Sequence, residues 1–289
     1  MLPYPECGLC TLKWVYERVA NSLSDEQRFF ILKRLMGVAS KELAPSINLG
    51  DFCNRNLEAV KDFMPASSGS YELLKRKSNE AAATLLAEAR IFIDKSESPC
   101  ESFEKACGLA AVSNVAPIGV PTAPFEFSLV EDMITGKVPL PIPAGDIYGT
   151  ASKAKSVFYV ADNAGEIGFD SLVIALLKEM GAKVTLVVKE GPFFDDATPE
   201  DVRFFNLQQM ADAVRSVKGG IFVPDGADEE LDLLFKSSDL VVSKGTGNFE
   251  ALKGYGGKNR ILFLLKAKCR PVSKETNTPE GRFVVRLEP

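Results

Sequence analysis

Four short segments of this chain concentrate side chains that can hold a cation or an anion. The first is Asp162-Asn163-Ala164-Gly165-Glu166, the second Asp195-Asp196-Ala197, the third Lys244-Gly245-Thr246-Gly247-Asn248-Phe249-Glu250, and the fourth Lys266-Ala267-Lys268-Cys269. A carboxylate beside an amide, as in Asp162-Asn163, offers two oxygen donors to one divalent cation. The same pair also suits a turn or a helix cap, because Asx side chains favour both. Asp196 is equally a candidate cap for a helix starting near Thr198. In the third segment Gly245 and Gly247 allow backbone N–H groups to converge on a phosphate, with a helix N-terminus behind them; a plain tight turn is the alternative. Lys244, Lys266 and Lys268 add positive charge to the same group of loops.

The chemistry open to these segments is narrowed by one absence: the chain has no histidine. Nucleophile activation by a Ser-His-Asp or Cys-His pair is excluded. A metal must be held by oxygen or sulfur, and carboxylate and amide donors select hard ions such as Mg²⁺ and Mn²⁺. Gly245-x-Gly247 is followed by Glu250 where a dinucleotide fingerprint needs a third small residue, and no G-x-x-x-x-G-K-[ST] is present. Ala164 stands two positions after Asp162, so a paired Asp-x-Asp phosphatase motif is missing, and no G-x-S-x-G occurs.

Each of the four segments follows a short apolar run. Such runs occur at Val157–Val160, Lys183–Val188, Gly220–Val223, Leu240–Val242, Ile261–Leu265 and Phe283–Leu287, and helical patterning separates most of them. Short apolar strands alternating with helices predict an α/β fold, a Rossmann-like, mostly parallel sheet covered on both faces. Ligands in such sheets bind beyond the carboxyl ends of the strands, where these segments fall. Residues 7–112 read differently. Cys7, Cys10, Trp14, Val15 and Val19 share one apolar side; Phe29, Phe30, Leu32, Leu35 and Met36 continue the pattern; Leu73, Leu74, Leu85, Leu86, Ala89 and Ile93 form another face. Ser24 with Gln27 has capping-box spacing and marks a helix start. The expected organisation is an all-helical subdomain over 1–114, a proline-rich connection over 115–150 with one short helix near 126–135, and an α/β domain over 151–289 carrying the metal and phosphate site. The helical half is expected to form one wall of a cleft above the strand ends.

A net charge of −5 and a pI near 5.2 give no electrostatic reason to seek nucleic acid or an anionic membrane. No apolar run approaches the ~20 residues that span a bilayer, and the opening MLPYPECGLC lacks a basic segment followed by an apolar one, so a cytoplasmic location is expected. Six cysteines are sparse for a disulfide scaffold. Cys7 and Cys10, at i, i+3, read either as two small buried residues or as a second metal or redox pair recruiting Cys53 or Cys269.

VADNAGEIGFDSL, PFFDDATPED, SKGTGNFEAL and LLKAKCRPV, in that order, together with the opening PECGLC and the segment LKRKSNEAAATLL, resemble the damage-control phosphatases, also called domain of unknown function 89, in their cysteine-bearing, mostly prokaryotic branch. The likeness runs from about residue 5 to 287. It implies a metal-dependent phosphatase of small phosphorylated metabolites, sugar phosphates included, with one divalent cation (Mg²⁺, Mn²⁺, Co²⁺ or Ni²⁺). Carried over by motif, the metal ligands are Asp162, Asn163 and Asp196. Glu166 corresponds to a glutamate shortly after the pair, Lys268 to the late-motif lysine with Lys266 the alternative, and Asn114 to an asparagine of the connecting region. Three positions depart from the family pattern: Ser113 precedes Asn114 where Gly is usual, Pro117 replaces an aspartate, and Gly69-Ser70 replaces Asp-Pro before Tyr71. These departures motivate a second reading, a metabolite-binding protein without catalysis. A carboxyl methyltransferase is a third, disfavoured by the lack of a glycine-rich loop directly after the first strand.

Overall fold

The structure is a computed structural model that describes residues 1–20, 23–64, 71–226, 228–255 and 260–289. In chain order it contains α1 (Pro5–Ala20), α2 (Asp25–Glu42), α3 (Leu49–Ala59), α4 (Glu72–Asp94), α5 (Pro99–Val112), α6 (Ser128–Ile134), α7 (Ile147–Ala151), β1 (Ser156–Val160), α8 (Glu166–Glu179), β2 (Lys183–Lys189), α9 (Pro199–Phe204), β3 (Ala213–Val217), α10 (Glu229–Ser237), β4 (Leu240–Lys244), α11 (Gly245–Leu252), β5 (Arg260–Lys266), α12 (Arg270–Thr276) and β6 (Phe283–Glu288). No strand occurs among the described residues before β1. Gly69 and Ser70, where the chain departs from the family pattern, lie outside the described residues.

The six strands form one sheet in the order β3-β2-β1-β4-β5-β6. All neighbours are parallel except β5 and β6, which pair antiparallel from Ile261↔Glu288 to Lys266↔Phe283. The strand order reverses between β1 and β4, and the crevice at the carboxyl ends of these two strands is where such sheets bind ligands.

Alternating side chains of each strand supply opposite faces, which the burial follows. One core takes Val157 and Tyr159 of β1, Leu186 of β2 and Leu264 of β5, covered by α4, α5 and α8. The other takes Phe158 and Val160, Val187 and Phe263, covered by α10 and α11. Two helices of the first half, α4 and α5, therefore share a core with the sheet. A smaller cluster joins α1, α2 and α3 through Val15, Val19, Ile31, Leu35 and Leu57 to Phe193 and Phe194 of the loop after β2. In α2 the capping box of Ser24 and Gln27 is present, but Phe29, Phe30, Leu32 and Met36 are exposed and only Ile31 and Leu35 are buried. Consecutive apolar residues cannot all share one side of a helix with a period of 3.6.

One strand lies elsewhere than expected. The run Gly220–Val223 is not a strand; β3 is Ala213–Val217. As the edge strand, β3 keeps an exposed Arg215 paired with Glu230 at 2.7 Å, so its apolar content is diluted. Phe222 and Val223 are buried as loop against the sheet, while Ile221 is held by Asn54 through both its backbone N–H (2.8 Å) and its carbonyl (2.9 Å). No helix of the described residues is long and apolar enough to cross a membrane.

Candidate metal and phosphate site

Two loops are joined by their backbones before any side chain is considered. Ala164 N–H donates to the Asp195 carbonyl (2.9 Å), Ala197 N–H donates to the Asp162 carbonyl (2.8 Å), and Asn163 and Asp196 form an antiparallel bridge. The loops after β1 and β2 thus lie side by side at the strand ends, and Asp162, Asn163 and Asp196 share one floor. Gly165 has φ of +75°, and a Cβ there would approach the Ser78 carbonyl to 2.8 Å, so only glycine admits α4 so close. Neither expected cap is used: Gly165 is the N-cap of α8 and Thr198, boxed with Asp201, that of α9. Backbone pairing has withdrawn Asp162, Asn163 and Asp196 from capping.

Glu166 orients this floor from beneath. Its side chain is fully buried. Its two oxygens accept from Asn163 Nδ2 and Asn114 Nδ2, each at 2.9 Å, and both amides also donate to Asp162 Oδ2 at 2.9 Å. With its nitrogen committed to two carboxylates, the Asn163 amide turns its oxygen the other way, as a metal ligand requires. Asn114 Oδ1 accepts from Lys266 N–H at 3.1 Å, tying β5 to the same cluster.

Lys244 does not face the cleft, contrary to its expected phosphate contact. It is fully buried, 3.0 Å from Asp170 and 3.8 Å from Glu166, and Tyr159 OH donates to Asp170 at 2.9 Å. Burial alone would favour loss of its proton, but the charges of Asp170 and Glu166 outweigh that and raise its pKa. It neutralises acid under the site. Gly245 follows with φ of +79°, and a Cβ there would run into the Asp162 carboxylate. Lys266 also points elsewhere, its ammonium over the Phe283 ring at 5.5 Å.

The cleft, about 390 Å³, is lined by Asp162, Asn163, Asp195, Asp196, Thr246, Gly247, Asn248 and Lys268 on the sheet side, and by Cys7, Cys10, Trp14 and Arg18 of α1 with Cys53 of α3 on the helical side. Thr246 Oγ1 is spent on the Lys266 carbonyl (3.2 Å), and Asn248 Nδ2 on the carbonyls of Ala161 (3.0 Å) and Lys244 (2.8 Å). An anion there is left the backbone N–H groups that open α11, and Lys268. Pro117, at one position that departs from the family pattern, also lines the cleft.

The donor set fits a hard divalent cation. Burial, then the charges of Glu166 and Asp196, push the Asp162 carboxyl well above its ordinary range. Burial also raises Asp196 to about 6, against the pull of Lys189. Asp195 Oδ2 is buried without a hydrogen-bond partner. A cation would relieve this accumulation of desolvated negative charge. Among the described residues no three Cys, Asp or Glu side chains converge in a metal-holding group; the candidate set is two carboxylates and one amide.

Several contributors went unread in the sequence. Arg18 of α1 pairs with Asp195 at 2.7 Å, both side chains buried, and its guanidinium lies 4.8 Å from the Trp14 ring. Its signal was a charged residue in the stripe Cys7, Thr11, Trp14. Asn79 of α4 accepts from Gly165 N–H (2.6 Å) and donates to Asp201 (2.7 Å), while Lys75 pairs with Asp201 at 2.9 Å. Lys75 and Asn79 continue the buried stripe Ala82, Leu86, Ala89, Ile93, and polar residues in such a stripe need partners.

Comparison with known proteins gives consistent matches. Residues 4–284 match the family described as the damage-control phosphatase ARMT1-like domain. An uncharacterised protein of Methanocaldococcus jannaschii is 28% identical over 97% of this chain and 94% of its own length. A damage-control phosphatase of Archaeoglobus fulgidus is 31% identical over 75% of each chain, and one of Pyrococcus horikoshii 33% identical over 63% of this chain and 64% of its own. A crystal structure of a domain-of-unknown-function-89 protein from Pyrococcus horikoshii superposes with a TM-score of 0.79 at 27% identity, covering 99% of this chain and 98% of that one.

Proposed function

The chain belongs to the damage-control phosphatase ARMT1-like family, and from that premise we propose that it is a metal-dependent phosphomonoester hydrolase of small phosphorylated metabolites, working in the cytoplasm without nucleic acid or membrane as partner. The observation that carries this reading is the convergence of Asp162, Asn163 and Asp196 on one floor, beside a lysine and a helix N-terminus in the same cleft.

In this reading Asp162, Asn163 and Asp196 hold one divalent cation, of which Mg²⁺, Mn²⁺, Co²⁺ and Ni²⁺ are the candidates. A bound cation would neutralise charge on the transferring phosphoryl group and lower the pKa of water. The chain's own residues do the rest. Lys268 and the backbone N–H groups of the α11 N-terminus hold equatorial phosphate oxygens as charge develops. Glu166 and Asn114 fix the orientation of Asp162 and Asn163, and Lys244 neutralises the acids beneath them. Arg18 keeps Asp195, and through it the neighbouring Asp196, in place. Lined by Trp14, Ile118 and Phe193, the cleft limits water around the ester.

The test is a phosphate-release screen over phosphorylated metabolites, with chelated protein and with each of the four ions. We expect no turnover after chelation, restoration by at least one ion, and loss of activity in Asp162→Ala with the fold intact. Full activity in chelated protein or in that variant would overturn the reading.

A further inference from the structure

Most charged side chains lining the cleft are committed to the protein. Asp195 is paired with Arg18, Asp196 lies 3.7 Å from Lys189, and Glu6 is paired with Arg270 at 2.7 Å. Glu250 is different. It lines the cleft and is half-buried, yet among the described residues its carboxylate accepts no hydrogen bond and forms no ion pair. It sits on α11 three residues after Gly247, a spacing that places both on one helix face. Gly247 has no side chain, and a Cβ there would meet only Ile221, at 3.7 Å. The path from the helix N-terminus, where phosphate is proposed to sit, to Glu250 is therefore open.

The surroundings of Glu250 offer poor compensation. Its charge acts on Cys7, Cys10, Cys53 and Cys269, and thiols are weak donors. Trp14, Ile118 and Pro271 of the same cleft offer apolar surface. Burial raises the Glu250 carboxyl to about 7, although the Met1 ammonium and Lys268 pull the other way. A desolvated carboxylate without a donor is costly, and a ligand that brings a donor removes the cost. Lys268 and Arg270 line the same chamber and disfavour a ligand ammonium; a hydroxyl meets no such repulsion.

We propose that Glu250 is a specificity-determining residue whose carboxylate accepts a hydrogen bond from a hydroxyl on the organic part of the phosphoester. The inference rests on the phosphatase reading for the position of the phosphate. Glu250 itself is none of the residues assigned to the metal or the phosphate.

The experiment compares hexitol 6-phosphate with hexyl phosphate, matched in chain length and different in hydroxyls, for wild-type, Glu250→Gln and Glu250→Ala protein. The readout is the ratio of kcat/KM for the two esters. A hydrogen bond to a charged group contributes about 1.5–3 kcal/mol, so the ratio is expected to fall about 10-fold or more in Glu250→Ala, and less in Glu250→Gln, which retains an acceptor. An unchanged ratio, with both esters slowed together, overturns the proposal and assigns Glu250 a structural role. If wild-type protein hydrolyses neither ester, the phosphatase reading fails by itself. Glu250 is then judged by ligand-induced shifts in melting temperature. A larger shift from the hexitol ester in wild-type than in Glu250→Ala supports it, and equal differences overturn it.

Discussion

Asn163 donates from Nδ2 to Glu166 Oε1 at 2.9 Å, and that bond decides which way the amide points. Glu166 is fully buried three residues along the chain, on the first turn of α8. It accepts also from Asn114, so one carboxylate aligns two amides that both reach Asp162. Residues that orient metal ligands change affinity about 10–100-fold when removed.

Glu166→Gln is therefore expected to weaken divalent-cation binding by about that factor, because a glutamine amide competes as donor where an acceptor is needed on both sides. Calorimetric titration with Mn²⁺, beside a thermal melt, checks it. Unchanged affinity in a folded variant would remove Glu166 from this role.

Gly245→Ala is expected to damage the same floor from the other side. A left-handed backbone costs an alanine about 1–2 kcal/mol, and the new methyl group would displace the Asp162 carboxylate. Thermal stability should fall modestly and cation affinity strongly. Equal loss of both would mean that the strain spreads through β4 and α11 rather than acting on Asp162.

The pair Arg18–Asp195 joins α1 to the loop carrying Asp196, at 2.7 Å with both side chains almost wholly buried. Removing one partner of a buried pair costs about 3–5 kcal/mol because the other charge is stranded. Arg18→Met and Asp195→Asn should each destabilise by roughly that amount, and the double variant should lose less than the sum. Urea unfolding of the four proteins measures the coupling; strict additivity would mean that the contact is incidental.

The sheet and its ligand edge were legible because each strand is a short apolar run and each site loop follows one. Asp162, Asn163 and Asp196 came from loop position and motif together. The third strand was misplaced because an edge strand carrying Arg215 is less apolar than the buried loop containing Phe222 and Val223. Lys244 was assigned to phosphate because spacing shows that a lysine follows a strand but not which side of the chain it leaves. Its partner Asp170 lies on α8, inside VADNAGEIGFDSL, but spacing along that segment does not show that it faces Lys244. Arg18 and Asn79 were missed for a related reason: their partners Asp195 and Asp201 are more than 100 residues away, a separation across which periodicity carries no information.

The raised carboxyl of Glu250 makes a prediction about stability that does not involve catalysis. An unfolded glutamate titrates near pH ~4.3, and the folded one near 7 because of burial. Below the lower value both states are protonated and the group contributes nothing to the difference. Between the two, the unfolded chain releases a proton that the folded chain retains, so stability falls as pH rises through this window and levels off above it. The Met1 ammonium, lowered by burial to about 6, acts in the opposite sense at higher pH, and the Glu250 charge is one of the causes that hold it up, so above about pH 6 the two groups titrate together. Glu250→Gln carries no titrating group at this position, so its advantage over wild type should be absent near pH ~4 and grow from about pH 4.5 to 6, below the range in which the coupled Met1 ammonium titrates. Denaturant unfolding of both proteins at several pH values gives that difference directly. A difference that does not change with pH would show that the Glu250 carboxylate is solvated as in an unfolded chain, and the cost attributed to its lack of a donor would vanish with it.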